Sequence, residues 1–490
     1  MTPITLLLAP ALTFLASSSS VGLDDNWPQF LGPRGSAVVD ADAAQLRFDS
    51  KEDKLWRVEL PSGSSSPCIW GNRVFVTGAV GDESVMVAFE RSTGEELWRE
   101  TRTTKPLDNA LHVDSNGAAP TPCTDGERVV FYFGQFGLVV LDMDGVLLWE
   151  KELPVPQAPF GIGTSPIIVD GMVILSRDGC ADSGIYAFNK KDGGELWKVP
   201  RLGYTYSFGT PFVWKNSIRR ELVVAGTQRL TGLDLSTGKQ LWEIGGLTSF
   251  VCTTPTAVDD TLYFAAWSTS DAAPNERGEA TWGDVEFTAE ERQSAKLIVA
   301  KLDKNGNGKL EHAEIPPSRA RDAFSFVDQN GDGAATIEEL APLVERPKGG
   351  GNNLMLAVKA GGEGDIATSH VRWSYRRALP YVASPLVYDG RVYLAKAGGL
   401  VTCLNAETGK AHFGPERLED HSEYYASPVG VAGHIILCSS KGTISILKAS
   451  DDFELVSSVS LGESIHSTPA IVDGVTFIRT DSALWAFGER

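Results

Sequence analysis

Short apolar runs, bounded by Gly, Asp or Asn, recur along most of this chain. They include RVFVTG (73–78), SVMVAFE (84–90), RVVFYF (128–133), GLVVLDM (137–143) and MVILSR (172–177). Runs of this length, rich in β-branched and aromatic residues, predict strands rather than helices. A Ser-Pro or Thr-Pro dipeptide leads into the first strand of each group, with prolines at 67, 122, 166, 211, 255, 385, 428 and 469. That makes eight copies, stepped by 55, 44, 45, 44, 130, 43 and 41 residues. Each copy continues through further strands to a turn and a Trp: TGEELW (93–98), DGVLLW (144–149), DGGELW (192–197) and TGKQLW (237–242).

Four strands per copy predict an all-β chain, an eight-bladed β-propeller in which each blade buries its faces against its neighbours. The recurrent Trp supplies an apolar wedge for that contact, and its indole N–H can reach a backbone acceptor. The motif decays late: Phe413 takes the Trp place in copy six, and copy seven has DDFELV at 451–456. Copy eight runs out of chain after three strands. KLWRVEL at 54–60 carries the missing Trp-ending pattern, so the two termini are expected to share one blade and close the ring. The 130-residue step places an insertion within copy five. Helix is expected only there.

Within the insertion, DKNGNGKLEHAE (303–314) and DQNGDGAATIEE (328–339) set oxygen ligands at loop positions 1, 3, 5, 9 and 12, with Gly at 6. This is the EF-hand pattern, which gathers about seven hard oxygens at roughly 2.4 Å around calcium. Loop one offers Asp303, Asn305, Asn307, the Lys309 carbonyl, Glu311 and Glu314. Loop two offers Asp328, Asn330, Asp332, the Ala334 carbonyl, Thr336 and Glu339. Gly308 and Gly333 stand where a β-carbon would strain the turn. The expectation is two bound calcium ions; the bland alternative is an acidic, Gly-rich solvated stretch. Thr288 and Glu291 form a capping-box pattern before a helix carrying Leu297, Ile298 and Leu302. Position 8, where paired loops touch, is Leu310 in one loop and Ala335 in the other.

The net charge of -19 and pI near 4.9 argue against nucleic acid and anionic membranes as partners. Residues 4–16, ITLLLAPALTFLA, are too short to span a bilayer and are followed by SSSS, which predicts a signal peptide over 1–22 and export to the periplasm or beyond. No transmembrane segment is expected. Boundaries follow as an N-terminal extension over 23–53, propeller over 54–267, the EF-hand pair over 268–352, and propeller again over 353–490. Six separated cysteines suggest buried thiols rather than a metal or redox motif.

The repeat resembles the quinoprotein type, whose consensus ends in TGK-x-x-W and which builds eight-bladed propellers. WPQFLGPRGS (27–36), 125–149 and GGEGDIATSHVRW (361–373) look like those of an exported bacterial family of PQQ-like propeller proteins. The resemblance implies two alternatives: dehydrogenases that use pyrroloquinoline quinone (PQQ), and non-catalytic scaffolds such as the BamB component of outer-membrane protein assembly. The dehydrogenases are expected to carry vicinal cysteines against the quinone and a calcium held beside it by propeller residues. This chain has no adjacent cysteines, so PQQ is not the expected cofactor.

Aromatics cluster in segments that precede first strands: Phe160; Tyr204, Tyr206 and Phe208; Phe250; Tyr381; Tyr424 and Tyr425. In a propeller such segments meet at one mouth of the channel. The long segment 101–120 would bring His112, Asp114 and Asn116 to the same mouth, with His466. These rings either pack under neighbouring loops or form a site for a small molecule, glycan or protein segment. The functional expectation is an exported, monomeric, calcium-binding propeller acting as a non-catalytic binding or scaffolding module. A PQQ-dependent oxidoreductase is the alternative.

Overall fold

The computed structural model describes residues 25–39, 46–104, 117–156, 161–179, 182–201, 207–268, 285–288, 290–291, 294–318, 321, 324–328, 331–344 and 351–489. Eight antiparallel sheets form the eight blades of a propeller. Their inner strands are Cys68–Trp70, Cys123–Thr124, Ile167–Val169, Phe212–Lys215, Thr256–Val258, Leu386–Tyr388, Val429–Val431 and Ala470–Val472. The second and third strands of each blade are almost wholly buried, as in Arg128–Phe133 and Gly137–Asp142, whereas outer strands such as Glu96–Thr103 alternate toward solvent. That difference is the apolar-run against alternating-run contrast of the sequence.

The ring closes as the terminal half-motifs require. Lys54–Glu59 is the outer strand of blade eight and pairs with Ala483–Phe487, Arg57 facing Trp485 and Glu59 facing Ala483. Blade contacts use the Trp motif. The indole N–H groups of Trp56, Trp98, Trp149 and Trp373 each donate to a carbonyl of the next blade, at Arg91, Met143, Lys190 and Ala406, over 2.9–3.0 Å. The turn glycine of the following blade makes room for the ring. A β-carbon on Gly94 or Gly193 would lie 2.8 or 2.7 Å from Trp56 or Trp149, and both glycines have positive φ.

Blade four departs from the pattern. Trp242 stays within its own sheet, over Gly232, and donates to the buried Glu221 carboxylate at 2.7 Å. Gly364–Asp365 covers the outer strand Gln240–Gly245 as a fifth, parallel strand. Trp214 on the inner strand bridges to blade five instead, donating to the Asp259 carbonyl at 3.0 Å.

The insertion separates the second and third strands of blade five, Thr261–Ala266 and Leu354–Lys359, which pair in register across it. Its two ends are clamped together: Ser268 N–H donates to Asn353 Oδ1 at 2.8 Å, and Asn353 Nδ2 donates to the Ser268 carbonyl at 2.9 Å. The helices Ala295–Leu302, Phe324–Val327 and Ile337–Val344 lie here, around a separate small core that includes Ile298, Leu302, Leu310 and Leu340. The reciprocal bonds between Thr288 and Glu291 form, but the described helix is capped by Ser294, which accepts from Leu297 N–H. Among the described residues no helix is long and apolar enough to cross a membrane. The cysteines at 68, 123, 252, 403 and 438 are free thiols; Cys180 lies outside the described residues.

Candidate functional site

The Ser-Pro and Thr-Pro dipeptides do more than lead into strands. Each Ser or Thr donates its backbone N–H to the side-chain oxygen of its counterpart in the next blade. Ser66 donates to Thr121, Thr121 to Ser165, Ser165 to Thr210, Thr210 to Thr254, Thr254 to Ser384, Ser384 to Ser427, Ser427 to Thr468, and Thr468 back to Ser66. All eight distances fall between 2.9 and 3.1 Å. Every member is 2–4% exposed. Proline after each hydroxyl residue restricts it to extended backbone, which presents the N–H sideways along the ring.

This collar is the waist of the central channel. On the side where chain enters the inner strands lies a cavity of about 240 Å³, lined by Ser66, Thr121, Ser165 and Thr468 on one arc and by Phe208, Phe250, Tyr381, Tyr425 and His466 on the other. Phe250 lies 5.5 Å from Phe208 and stacks on Tyr381 at 5.7 Å; Trp267 meets Tyr381 edge-on at 5.8 Å, with Lys396 Nζ 4.8 Å over the indole. Tyr425 and His466 are 5.5 Å apart, and His466 Nδ1 lies 3.1 Å from Asp481. Burial raises the Tyr381 phenol above its ordinary value and pushes the Cys252 thiol, also in the wall, up to about 12, so both keep their protons at neutral pH.

Phe208, Tyr381, Tyr425 and His466 thus share one cavity, as their places in the repeat suggest. Tyr424 is buried away from it, donating to the Asp420 carbonyl. His112, Asp114, Asn116, Phe160, Tyr204 and Tyr206 lie outside the described residues. The collar hydroxyls were legible only as strand punctuation, because nothing local says that each one meets its counterpart a blade away.

Phe30 also lines this cavity, and it lines a second one of about 940 Å³ on the far side of the collar. It belongs to the WPQFLGPRGS segment. Trp27 exchanges two backbone hydrogen bonds with Ile69 of blade one, Pro28 accepts from Thr124 of blade two, and Val38–Val39 pairs with Val429–Val431 of blade seven. The segment therefore crosses the channel and plugs it from below.

A quinone bridged to a metal needs oxygen ligands in the wall. Among the described residues the mouth cavity has no Asp, Glu, Asn or Gln in its lining, and no adjacent cysteines exist in the chain. The described lining supplies no oxygen ligand of that kind; residues 105–116, 157–160 and 202–206 lie outside the described residues.

The insertion loops have a different donor set. In loop one, Asp303 accepts from Gly306 and Gly308 N–H at 2.7 and 2.8 Å, while Glu314 accepts from Lys304, Asn305 and Glu311 N–H at 2.8, 3.2 and 3.0 Å. These backbone bonds, from Gly308 onto Asp303 and from Glu311 onto Glu314 foremost, hold both carboxyls below their ordinary values. In loop two, Asp328 accepts from Asp332 and Gly333, and Glu339 accepts from the Thr336 N–H and hydroxyl. The loops pair through Leu310 opposite Ala335 and Glu311 opposite Ala334, and Lys309 Nζ lies 3.2 Å from Asp332. Asn305 Oδ1 and Asn307 Oδ1 accept backbone N–H groups within the loop. Asn330 lies outside the described residues. Among the described residues no three Asp, Glu, His or Cys side chains converge as a metal cluster, so an ion here would draw on amide and carbonyl oxygens as well.

A family model described as the outer membrane protein assembly factor BamB (PQQ_2) matches residues 34–159, 112–245 and 181–310. A quinoprotein alcohol dehydrogenase, PedH of Pseudomonas putida, is 26% identical over 224 residues, which is 42% of this chain and 36% of that protein. The match thus spans about a third of the relative's length. Among solved structures, BamB from Moraxella catarrhalis superposes with a TM-score of 0.53 at 13% identity, over 89% of this chain and 97% of that one. The quinohemoprotein alcohol dehydrogenase from Comamonas testosteroni superposes with a TM-score of 0.54 at 12% identity, over 96% of this chain and 82% of that one. At these identities the superpositions carry the fold alone.

Proposed function

The chain belongs to the PQQ_2 family, described by the outer membrane protein assembly factor BamB, and from that premise we propose that it is an exported propeller acting as a non-catalytic binding or scaffolding module. Its ligand enters the channel mouth, and its peripheral insertion binds calcium. The observation that carries the binding role is the mouth cavity: aromatic faces on one arc, hydroxyls on the other, and no carboxylate or amide side chain in its described lining. Phe30 lines both this cavity and the larger one on the far side of the collar.

Two features support calcium binding at 303–314 and 328–339. Leu310 and Ala335, both fully buried, pair the loops at their eighth positions. Asp303 and Glu314 are already curled inward over backbone N–H groups, which keeps their carboxyls ionised and ready to accept a cation. A bound ion would tie the two ends of each loop together and leave the channel chemistry untouched.

Sequence similarity to a quinoprotein alcohol dehydrogenase supports the second reading, in which the channel holds PQQ and oxidises an alcohol. Incubation of the purified protein with PQQ and calcium separates the two. A binding module gives no quinone absorbance after desalting and no dye reduction with primary alcohols. Stoichiometric quinone retention with turnover would replace the binding role with an enzymatic one.

A further inference from the structure

Each collar hydroxyl accepts one N–H from its neighbour, yet a hydroxyl is also a donor. Among the described residues none of the eight O–H groups is hydrogen-bonded to a protein acceptor. Four of these buried hydroxyls, Ser66, Thr121, Ser165 and Thr468, line the mouth cavity. Accepting an N–H polarises a hydroxyl and strengthens the proton it has left to give. The collar is thus an arc of strengthened donors without acceptors.

Charge points the same way. The described lining of the cavity has no carboxylate; outside it, Asp481 is half-exposed against His466, and Glu423 acts on the Tyr381 phenol. Behind the Ser64–Ser66 wall lies Arg479, 1% exposed. Its Nη1 donates to Ser65 Oγ and O at 2.5 and 3.4 Å and its Nη2 to the Pro61 carbonyl at 3.2 Å, while Nε is unpaired. None of these contacts is a carboxylate. Burial lowers the guanidinium to about 9, partly offset by Asp481, so it remains charged at neutral pH. A buried cation whose hydrogen bonds all go to neutral oxygens, with Asp481 acting on it only from a distance, leaves a partly offset positive potential in the adjoining space.

We propose that the mouth cavity binds a small molecule bearing an oxyanion, its charged oxygens taking protons from the hydroxyls of Ser66, Thr121, Ser165 and Thr468 while its flat apolar part rests on Phe250 and Tyr381. The proposal rests on the mouth being the ligand site. Hydrogen bonds to an ionised acceptor are roughly twice as strong as neutral ones. A volume of about 240 Å³ admits a single substituted ring.

Benzoate and benzamide share shape and differ in charge, so they are the probes. Each is titrated against the protein carrying the neutral dye N-phenyl-1-naphthylamine, whose fluorescence reports occupation of the mouth. Benzoate is expected to displace the dye at a concentration at least tenfold below benzamide. In Thr121→Val and in Thr121→Val with Thr468→Val, shown to be folded by circular dichroism, that preference is expected to fall at least threefold with dye binding retained. Equal displacement by benzamide in the parent protein overturns the oxyanion, as does an undiminished preference in the folded single variant. Should dye bind, and Tyr381→Ala abolish it, without any benzoate preference, the ligand class falls and the mouth stands. If neither dye nor benzoate binds, both fall together.

Discussion

Replacing Thr254 with Val removes one acceptor from the collar and keeps the side chain's branching and volume. Thr210 N–H, which donates to Thr254 Oγ1 over 2.9 Å, then faces a methyl group. Both residues are buried, at 4% and 3% exposure, where they line the larger cavity. An orphaned buried donor costs about 1–3 kcal/mol, and burying a methyl in place of a hydroxyl offsets part of that, leaving about 1–2 kcal/mol of lost stability. Thr254→Ser retains the acceptor and is expected to stay within about 1 kcal/mol of the parent. Unfolding entropy near 2.1 cal/mol/K per residue makes a chain this long change its Tm by only about 1–2 °C for such a loss. Chemical denaturation is therefore the assay, with the midpoint expected to fall and the slope to hold. A Val variant as stable as the parent would refute the collar as a stabilising circuit, and so would a Ser variant destabilised to the same degree.

Calorimetry is expected to find two calcium ions per chain, and Glu314→Gln with Glu339→Gln to abolish most of that heat; unchanged stoichiometry removes the EF-hand assignment. Deleting 269–352 and bridging Ser268 to Asn353 with a short Gly-Ser loop is expected to leave a cooperative all-β protein, because those two residues are already clamped by hydrogen bonds at 2.8 and 2.9 Å. Deleting 52–60 removes the outer strand of blade eight and is expected to cause aggregation, visible by light scattering, since it exposes the edge that Ala483–Phe487 now shares with Lys54–Glu59. For Asp420, burial alone would raise the carboxyl, but the hydroxyls of Ser439 and Thr443 and the N–H of Ser422 outweigh it and hold the group well below the usual carboxylate range. A lowered folded value means that its contribution is present above about pH 4 and is lost as pH falls further. Asp420→Asn is expected to lower stability by about 1–2 kcal/mol at pH 7, with the difference from the parent shrinking in denaturation curves below pH 4.

The blade count, the shared eighth blade and the position of the insertion were all legible in the chain. They depend on strand length, turn residues and Trp spacing, which act within a few residues of one another. The aromatic half of the mouth was legible too, because Phe208, Phe250, Tyr381 and Tyr425 occupy equivalent places in successive repeats.

What ring closure alone decides is which residues meet across blades. Thr254 and Ser384 are separated by the whole insertion, yet they are as close as any other pair of collar neighbours. Arg479 comes to rest behind Ser65, 414 residues away, and Phe30 reaches the collar from a segment whose own sequence predicts no strand of any length. Trp242 carries the same motif as Trp98 and Trp149, but Gly364–Asp365 lies along its strand and the side chain turns inward to Glu221. Sequence patterns encode which face of a strand is buried. The partner that buries it is set by where the other blades stand once eight of them have closed, and no spacing along the chain carries that distance.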